Sequence, residues 1–322
     1  MYKSSAIAYP IQGLIKYHGL KDEKLRIPFN DSISVCVAPF RTHTTIEFSN
    51  QFQQDSVEID GKIVSGREHE RVLDVVNRVR EVAKVSLSFQ MKSVNNFPSN
   101  IGLGASSSGF AALAKSAADA LSLNLSLKDL SRIARIGAGS ASRAVTGGFS
   151  YWAGGDSDET SFSYPLASID DVPLGIIVVF IEAYKQTENA HKEVVTSPFH
   201  LPRIEYVGNA LNQMVQAIQN KDVEKIGWLA EYDTLNLHAV TMTGENASIH
   251  WRPETVRLML EIRKMRNEGL PVFFSIDTGA TVYVNTYQNL SEEIENRLRS
   301  LGFRTQIGSV GGSVETINEH LF

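Results

Sequence analysis

Apolar and polar positions alternate through most of the first 95 residues, which predicts a series of short β-strands. One of these strands ends at Asp60-Gly61, a pair that favours a tight hairpin turn. A charged segment at 66–84 has the apolar spacing of an amphipathic helix instead. The predicted strands lie at 5–17, 26–37, 44–48, 56–59 and 85–92.

The second half of the chain mixes strands with longer helices, so the predicted fold class is α+β. The expected strands lie at 174–181, 271–276 and 281–285, and the expected helices at 204–220, 223–237 and 253–269. The glycine-rich acidic connection at 154–159 is expected to be exposed to solvent. It suggests a division into an N-terminal part, 1–165, and a C-terminal part, 166–322.

The glycine- and serine-rich stretch FPSNIGLGASSSG at 97–109 leads directly into a strong helix signal at 110–121. Glycines let backbone N–H groups approach a ligand closely, and a helix N-terminus favours an anion, so phosphate is the expected guest. The stretch is not a Walker A loop, because no Lys-Ser or Lys-Thr pair follows its last glycine. A serine-capped helix after a turn remains the alternative.

Composition narrows the function classes. With 322 residues, 43% hydrophobic and 21% charged, the chain is an ordinary globular protein. Its net charge of -5 comes without a run of lysines or arginines, so neither nucleic acid nor a membrane is an expected partner. The expected partner is a small molecule. The longest apolar run, 174–181, is too short to span a bilayer, so the expected location is the cytoplasm.

Cysteine and histidine usage gives no sign of a metal centre. Cys36 is the single cysteine, so it cannot form an internal disulfide, and it is expected to be buried in a strand. The eight histidines are scattered without ligand spacing, so no dedicated metal site is expected.

Three sets of polar residues are candidates for chemistry, and each has a structural alternative. Lys16 lies among apolar neighbours and either contacts a ligand or is a solvated strand lysine. Ser140 and Arg143 share a helix face and form either an oxyanion receptor or a surface cap with a salt bridge. Asp277 follows a strand beside a glycine turn, where it is either catalytic or part of an Asx-turn.

Six motifs, in this order along nearly the whole chain, resemble the GHMP kinases and, within them, the diphosphomevalonate decarboxylases. The matching segments are IKYHG at 15–19, PFNDSISV at 28–35, the phosphate loop at 97–112, the helix entry at 137–148, LHA at 237–239 and IDTG at 276–279. The resemblance implies a two-lobe α+β fold of the GHMP-kinase type, with the active site between the lobes. It also implies a carboxy-lyase of isoprenoid biosynthesis.

The resemblance also implies roles for individual residues. Lys16, Arg143 and Asp277 would be catalytic and surround the carboxylate and C3 oxygen of a phosphorylated mevalonate. The residues implied in substrate or phosphate binding are Tyr17, His18, Gly102, Gly104, Ser106, Ser107, Ser108, Ser140, Ser142 and Thr187. No metal ligand is implied.

Two departures from the family pattern bear on the substrate. Leu20 and Ala138 stand where the family has a lysine and a serine that hold a 5-diphosphate. Loss of an ammonium and a hydroxyl removes charge-assisted hydrogen bonds and predicts a smaller 5-phosphate, with Leu20 as an apolar wall.

The leading hypothesis is an archaeal-type decarboxylase that converts mevalonate 3,5-bisphosphate to isopentenyl phosphate, CO2 and phosphate, with no ATP and no other cofactor. The alternative is an ATP- and Mg²⁺-using diphosphomevalonate or phosphomevalonate decarboxylase. A GHMP small-molecule kinase and a non-catalytic metabolite-binding protein rank below these. The sequence does not predict the oligomeric state, and it is compatible with a homodimer.

Overall fold

The computed structural model describes residues 2–98, 102–182 and 193–322, and it confirms the α+β class. The helices are α1 (Gly66–Ala83), α2 (Ala105–Ala120), α3 (Leu127–Gly137), α4 (Ala141–Thr146), α5 (His200–Gln219), α6 (Val223–Met242), α7 (Pro253–Asn267) and α8 (Ser291–Ser300). Short 3-10 turns occur at Val194–Thr196 and Gln288–Leu290. Among the helices of these ranges, none is long and apolar enough to cross a membrane.

Sixteen strands are present in the described ranges. They are β1 (Lys3–Ala8), β2 (Ile11–Ile15), β3 (Leu20–Asp22), β4 (Ile27–Pro28), β5 (Ser32–Ala38), β6 (Thr42–Ser49), β7 (Ser56–Ile59), β8 (Lys62–Ile63), β9 (Ser88–Asn95), β10 (Phe149–Ala153), β11 (Phe162–Ala167), β12 (Leu174–Phe180), β13 (Phe273–Ser275), β14 (Val282–Tyr287), β15 (Arg304–Val310) and β16 (Glu315–Ile317).

The first sheet has the strand order β16-β1-β6-β9-β7-β8 and is covered by α1 and α2. Helix α2 lies across β1 and β6. Its buried face is made of small residues, including the fully buried Ala111, Ala114 and Ala117, so the helix backbone can lie close to the sheet. This close packing fixes the N-terminus of α2 and the glycine-rich segment before it.

The second sheet has the order β11-β10-β5-β15-β12-β14-β13, with β2 also paired to β5. It combines strands from both parts of the chain proposed on the sequence. A division after residue 165 would cut strand β11. This strand pairs with β10, and Pro165 of β11 lies opposite Ser150 of β10. In the first sheet, β16 returns to pair with β1, so the C-terminal segment also contributes to the N-terminal sheet.

Helices cover both faces of the second sheet at β12. Ile176 and Val178 point into a core with α5 and α6, whereas Ile177 and Val179 point into a core with α7 and α8. A strand buried on both faces is apolar at nearly every position. The prediction of a strand at the apolar run 174–181 is therefore confirmed.

Helix α2 begins at Ala105, five residues before the predicted start, so the serines that follow Gly104 form its first turn. Gly104 has φ +71°, and its carbonyl accepts hydrogen bonds from Ser107 N (2.8 Å) and Ser107 Oγ (2.6 Å). These local bonds explain why the helix starts earlier than its alanine content alone suggests. The sequence analysis also missed β11, α8, β15 and β16.

The prediction that the acidic connection at 154–159 is solvent-exposed is wrong at Asp158. The Asp158 side chain is 15% exposed, and its carboxylate accepts hydrogen bonds from Arg135 Nη2 (2.5 Å) and Arg132 Nη2 (2.7 Å). Arg135 is fully buried, and this burial lowers its pKa to about 10, against the opposing charge of Asp158. Asp158 therefore neutralises a buried cation and ties the connection to α3.

We expect Asp158→Asn to lower the free energy of unfolding by about 3 kcal/mol, because it leaves the Arg135 guanidinium buried without its counter-charge. Asp156→Asn is the matched control. The Asp156 side chain is 92% exposed, and its only described ion pair is with Lys21 at the surface, so its loss should cost less than about 0.5 kcal/mol. Urea unfolding of the three proteins measures both effects, and equal midpoints for the two variants would contradict the assignment.

Candidate functional site

A cavity of about 680 Å³ lies where β2, the glycine-rich loop and the turn after β13 meet. This volume is typical of small-molecule sites. The cavity brings together the three residues predicted to be catalytic and six of those predicted to bind substrate or phosphate. These lining residues are Lys16, Tyr17, His18, Gly102, Gly104, Ser106, Ser140, Arg143 and Asp277. Thr187, the last predicted binding residue, lies outside the described residues.

Three predicted phosphate-binding serines are fully buried, and they are not among the described residues that line the cavity. Ser107 Oγ accepts from Ile11 N at 3.2 Å, Ser108 Oγ pairs with Thr42 Oγ1 at 2.6 Å, and Ser142 Oγ donates to Gly139 O at 2.8 Å. These hydroxyls hold the helix starts in place. Ser106, exposed in the first turn of α2, lies in the cavity wall instead.

The Asp277 carboxylate reaches across to β2. Gly13 N donates to Asp277 Oδ1 at 3.0 Å and to Oδ2 at 3.3 Å. A Cβ at Gly13 would lie 3.0 Å from Asp277 Oδ1 and 2.9 Å from Lys16 Cγ, so this strand position needs a glycine. The hydrogen bonds across to β2 give Asp277 a role that the Asx-turn alternative does not include.

Lys16 is 4% exposed, which excludes the alternative of a solvated strand lysine. Its Nζ donates to Ser275 Oγ at 3.0 Å and Thr234 Oγ1 at 3.1 Å, and it lies 3.8 Å from Asp233 Oδ2. Burial lowers the pKa of Lys16, and the charges of Asp233 and Asp277 oppose this shift. The ammonium is thus fixed in a low-dielectric site next to the Asp277 carboxylate.

Asp233 and Arg203 hold the Lys16 backbone in place through hydrogen bonds, and the sequence analysis missed both. Arg203 Nη2 donates to Asp233 Oδ1 at 3.1 Å and to the Lys16 carbonyl at 2.9 Å, and Asp233 Oδ2 accepts from Lys16 N at 2.9 Å. Both charged residues occupy buried positions on α5 and α6. A charged residue at core spacing in an amphipathic helix is the signal that could have found them.

Arg143 is 2% exposed, which excludes the alternative of a surface salt bridge. Its guanidinium lies over the rings of Tyr17 (5.4 Å) and Trp152 (5.8 Å). Burial lowers its pKa to about 10, and Tyr17 and Asp277 oppose the shift. Within the described residues, Arg143 Nε and Nη1 have no hydrogen-bond partner. Arg143 also lines the cavity, so its positive charge is available to an anion there.

Tyr17 lines the cavity and packs against Arg143. Its ring packs edge-on against Trp152 at 4.7 Å, and its hydroxyl is hydrogen-bonded to the backbone of Ser140. A Cβ at Gly139 would lie 2.7 Å from both Tyr17 and Trp152, so glycine is required there. The aromatic pair therefore sets the position of the Ser140 backbone beside Arg143.

The glycine-rich loop rests directly on the turn that carries Asp277. Gly102 has φ +90°, and a Cβ there would lie 2.6 Å from Gly279 O. The loop leads into α2, whose N-terminal amides and positive dipole end favour an anion. Asp277 therefore follows a strand into a turn that contacts the glycine-rich loop, and its carboxylate acts electrostatically on both Lys16 and Arg143. In the ranges that the structure covers, no group of three or more His, Cys, Asp or Glu residues could hold a metal ion.

The fold and the site, with Lys16, Arg143 and Asp277 beside a glycine-rich loop, agree with those expected of an enzyme of the GHMP kinase superfamily. The family model of the diphosphomevalonate decarboxylase-like N-terminal domain matches residues 8–163. The phosphomevalonate decarboxylase of Haloferax volcanii is 42% identical over 318 residues, covering 98% of each chain. The chain therefore belongs to the family of phosphomevalonate and diphosphomevalonate decarboxylases, and it is a carboxy-lyase.

Solved structures agree with this assignment. Mevalonate diphosphate decarboxylase from Staphylococcus aureus superposes with a TM-score of 0.92 at 34% identity, and 98% of each chain is covered. The enzyme from Enterococcus faecalis gives a TM-score of 0.91 at 32% identity, covering 98% of this chain and 99% of that one. The expected fold and family are confirmed.

We expect Asp277→Asn to keep the fold, because the amide is nearly the same size as the carboxylate. Turnover should fall by about 100-fold or more, the usual effect of losing a positioned acid-base group. Steady-state kcat, with the thermal midpoint as the check on folding, measures this. Wild-type turnover in a folded variant would remove Asp277 from the chemistry.

Gly102→Ala tests the contact between the loop and the Asp277 turn. The added Cβ would collide with Gly279 O and displace the loop, so we expect kcat/KM to fall by at least about tenfold. Gly61→Ala is the matched control, because Gly61 also has a positive φ (+76°) but has nothing within 4 Å of a Cβ. Both variants should lose about 1 kcal/mol of stability from backbone strain. Equal activity in the two would show that the contact does not matter.

Proposed function

We propose that the protein catalyses the ATP-dependent decarboxylation of 5-phosphomevalonate to isopentenyl phosphate, with CO2, phosphate and ADP as the other products. The observation that carries this proposal is the position of the Asp277 carboxylate near Lys16 and Arg143, on a turn that contacts the glycine-rich loop. A base at this point is needed if a hydroxyl must lose its proton during phosphoryl transfer. The 42% identity to a phosphomevalonate decarboxylase supports the same substrate.

In the first step, Asp277 accepts the proton of the C3 hydroxyl, and the C3 oxygen takes the phosphoryl group that ATP supplies. Amides of the loop and the N-terminus of α2 stabilise the phosphoryl charge. Lys16, fixed by Ser275 and Thr234, provides a positive charge next to Asp277 and favours the alkoxide that forms.

In the second step, the C3–O bond breaks and the phosphate leaves with its electron pair. The bond between C2 and the carboxylate carbon then breaks, and its electrons form the C2–C3 double bond while CO2 departs. Arg143, which lines the cavity, orients the substrate carboxylate. Lys16 and Arg143 are almost fully buried, so little water reaches them, and water would otherwise trap the positive charge that develops at C3.

The residues beyond the loop fit a nucleotide base. The cavity continues between α1, α2 and the first sheet, where apolar residues line it together with the charged Arg67 and Glu68; the apolar residues there are Ile59, Val72, Met91, Phe110 and Leu113. Ser93 and Asn95 add polar groups at the same end. Magnesium would arrive with the nucleotide phosphates. One solved structure of similar fold, with a TM-score of 0.92, carries AMPPCP and magnesium together with MVAPP.

Decarboxylation of mevalonate 3,5-bisphosphate without ATP is the second candidate. The loop that would hold a transferred phosphoryl group could equally hold a 3-phosphate already on the substrate. This reaction leaves Asp277 without a proton to remove and the end of the cavity between α1, α2 and the first sheet without an occupant. The structure therefore favours the ATP-dependent reaction over this leading hypothesis from the sequence.

Purified protein should release isopentenyl phosphate from 5-phosphomevalonate only when ATP and magnesium are added. Product from mevalonate 3,5-bisphosphate in the absence of ATP, with none from 5-phosphomevalonate, would overturn the proposal in favour of the second candidate. A higher kcat/KM for 5-diphosphomevalonate than for 5-phosphomevalonate would overturn the single-phosphate specificity. The Asp277→Asn protein, assayed in parallel, controls for contaminating enzymes.

A further inference from the structure

Two arginines that the sequence analysis did not single out, Arg26 and Arg71, also line the cavity. Arg26 Nε donates to Ile136 O at 2.9 Å, and Arg71 Nε donates to Gly137 O at 2.8 Å. These acceptors are consecutive carbonyls at the C-terminal end of α3, so the two guanidinium groups lie side by side. The negative end of the helix dipole favours cations at this point.

The arginine pair lies on the Tyr17 side of the site. The pair binds the carbonyls of Ile136 and Gly137, and a Cβ at Gly139, two residues further on, would lie 2.7 Å from the Tyr17 hydroxyl. The Arg143 guanidinium lies over the same Tyr17 ring at 5.4 Å, whereas the Asp277 carboxylate accepts from Gly13 N of β2. A substrate with its carboxylate and C3 oxygen near Lys16 and Asp277 would extend its other end past Tyr17 toward Arg26.

The chain geometry directs Arg26 into the cavity. Arg26 lies between β3 and β4 with φ +51°, a left-handed conformation that is uncommon for a residue other than glycine, and it is 7% exposed. Arg71 comes from α1 and lies over the Phe110 ring at 4.8 Å. Two adjacent cations with low exposure in a cavity wall form a receptor for an anion.

The β3–β4 hairpin that carries Arg26 also carries Leu20, at the position where the family pattern has a lysine. Leu20 is half-buried on β3, opposite Pro28 of β4, and it is not among the described residues that line the cavity. The expectation that Leu20 forms an apolar wall of the site is therefore wrong. Ala138 is 5% exposed and does line the cavity, but it offers no hydroxyl. The positive charge that the hairpin presents to the substrate comes from Arg26.

We propose that Arg26 binds the 5-phosphate of the substrate, in the role that the family pattern gives to a lysine at position 20, with Arg71 adding to the positive potential. The inference rests on the proposed function only in that the substrate carries a phosphate at C5. Both candidate substrates, 5-phosphomevalonate and mevalonate 3,5-bisphosphate, meet this condition. Isopentenyl phosphate, the product in both cases, keeps the same phosphate and is a probe that needs no turnover.

Calorimetric titration with isopentenyl phosphate tests the proposal on wild type, Arg26→Gln and Lys24→Gln. Arg26→Gln should raise Kd by at least about 30-fold, because charge-assisted hydrogen bonds to the phosphate are lost. Lys24→Gln is the matched control: Lys24 lies on the same hairpin but is exposed, so Kd should change less than about twofold. A Kd for Arg26→Gln within about threefold of wild type overturns the proposal, as does an equal loss in both variants.

Arg26→Lys keeps the inference testable if Arg26→Gln fails to fold, as judged by its thermal midpoint. The ammonium keeps the charge but not the planar fork, so Kd should rise by about tenfold, and binding equal to wild type overturns the proposal. Failure of the proposed function gives a different result. In that case 5-phosphomevalonate with ATP yields no product, while isopentenyl phosphate still binds and still loses affinity in Arg26→Gln.

Discussion

The site depends on the placement of one ammonium group in a nearly water-free environment. Asp233 and Asp277 favour the charged form of Lys16 against the effect of burial, and Asp233 is in turn paired with Arg203. Removing one member of such a buried set costs about 3–5 kcal/mol, since the other charges lose their partners. The charges come from β2, α5 and α6, so the same interaction joins the first strands of the chain to its C-terminal helices.

This arrangement separates charges that are neutralised within the protein from charges that are available to a ligand. Asp233 and Arg203 are paired with each other in the interior, whereas Arg143 lines the cavity and has two buried N–H groups without a partner among the described residues. Phosphorylated mevalonates carry negative charge at both ends. In the proposed function, the cations of the site pair with these charges, and the substrate supplies the counter-charge that Arg143 lacks.

The sequence predicted the parts of the site that lie in contiguous motifs. Lys16, Arg143, Asp277 and the glycine-rich loop each occur in a short segment that matches a family motif, whereas the local pattern alone left a structural alternative open for each. Asp233, Arg203 and Arg26 were missed because their roles depend on contacts far along the chain, such as Arg26 with Ile136. The roles of Ser107 and Ser108 also depend on such contacts, because their partners Ile11 and Thr42 lie on strands about 65 to 95 residues away. Sheet order likewise depends on long-range pairing, which explains why β15 and β16 were not predicted.

The absence of side chains at Gly102 and Gly279 has a consequence for the timing of the reaction. Backbone meets backbone at this contact, so the phosphate-binding loop and the turn bearing Asp277 behave as one rigid piece. A displacement of either segment therefore moves the other, because no flexible side chain lies between them. In the proposed reaction, recognition of the phosphoryl donor and alignment of Asp277 as the proton acceptor are therefore coupled.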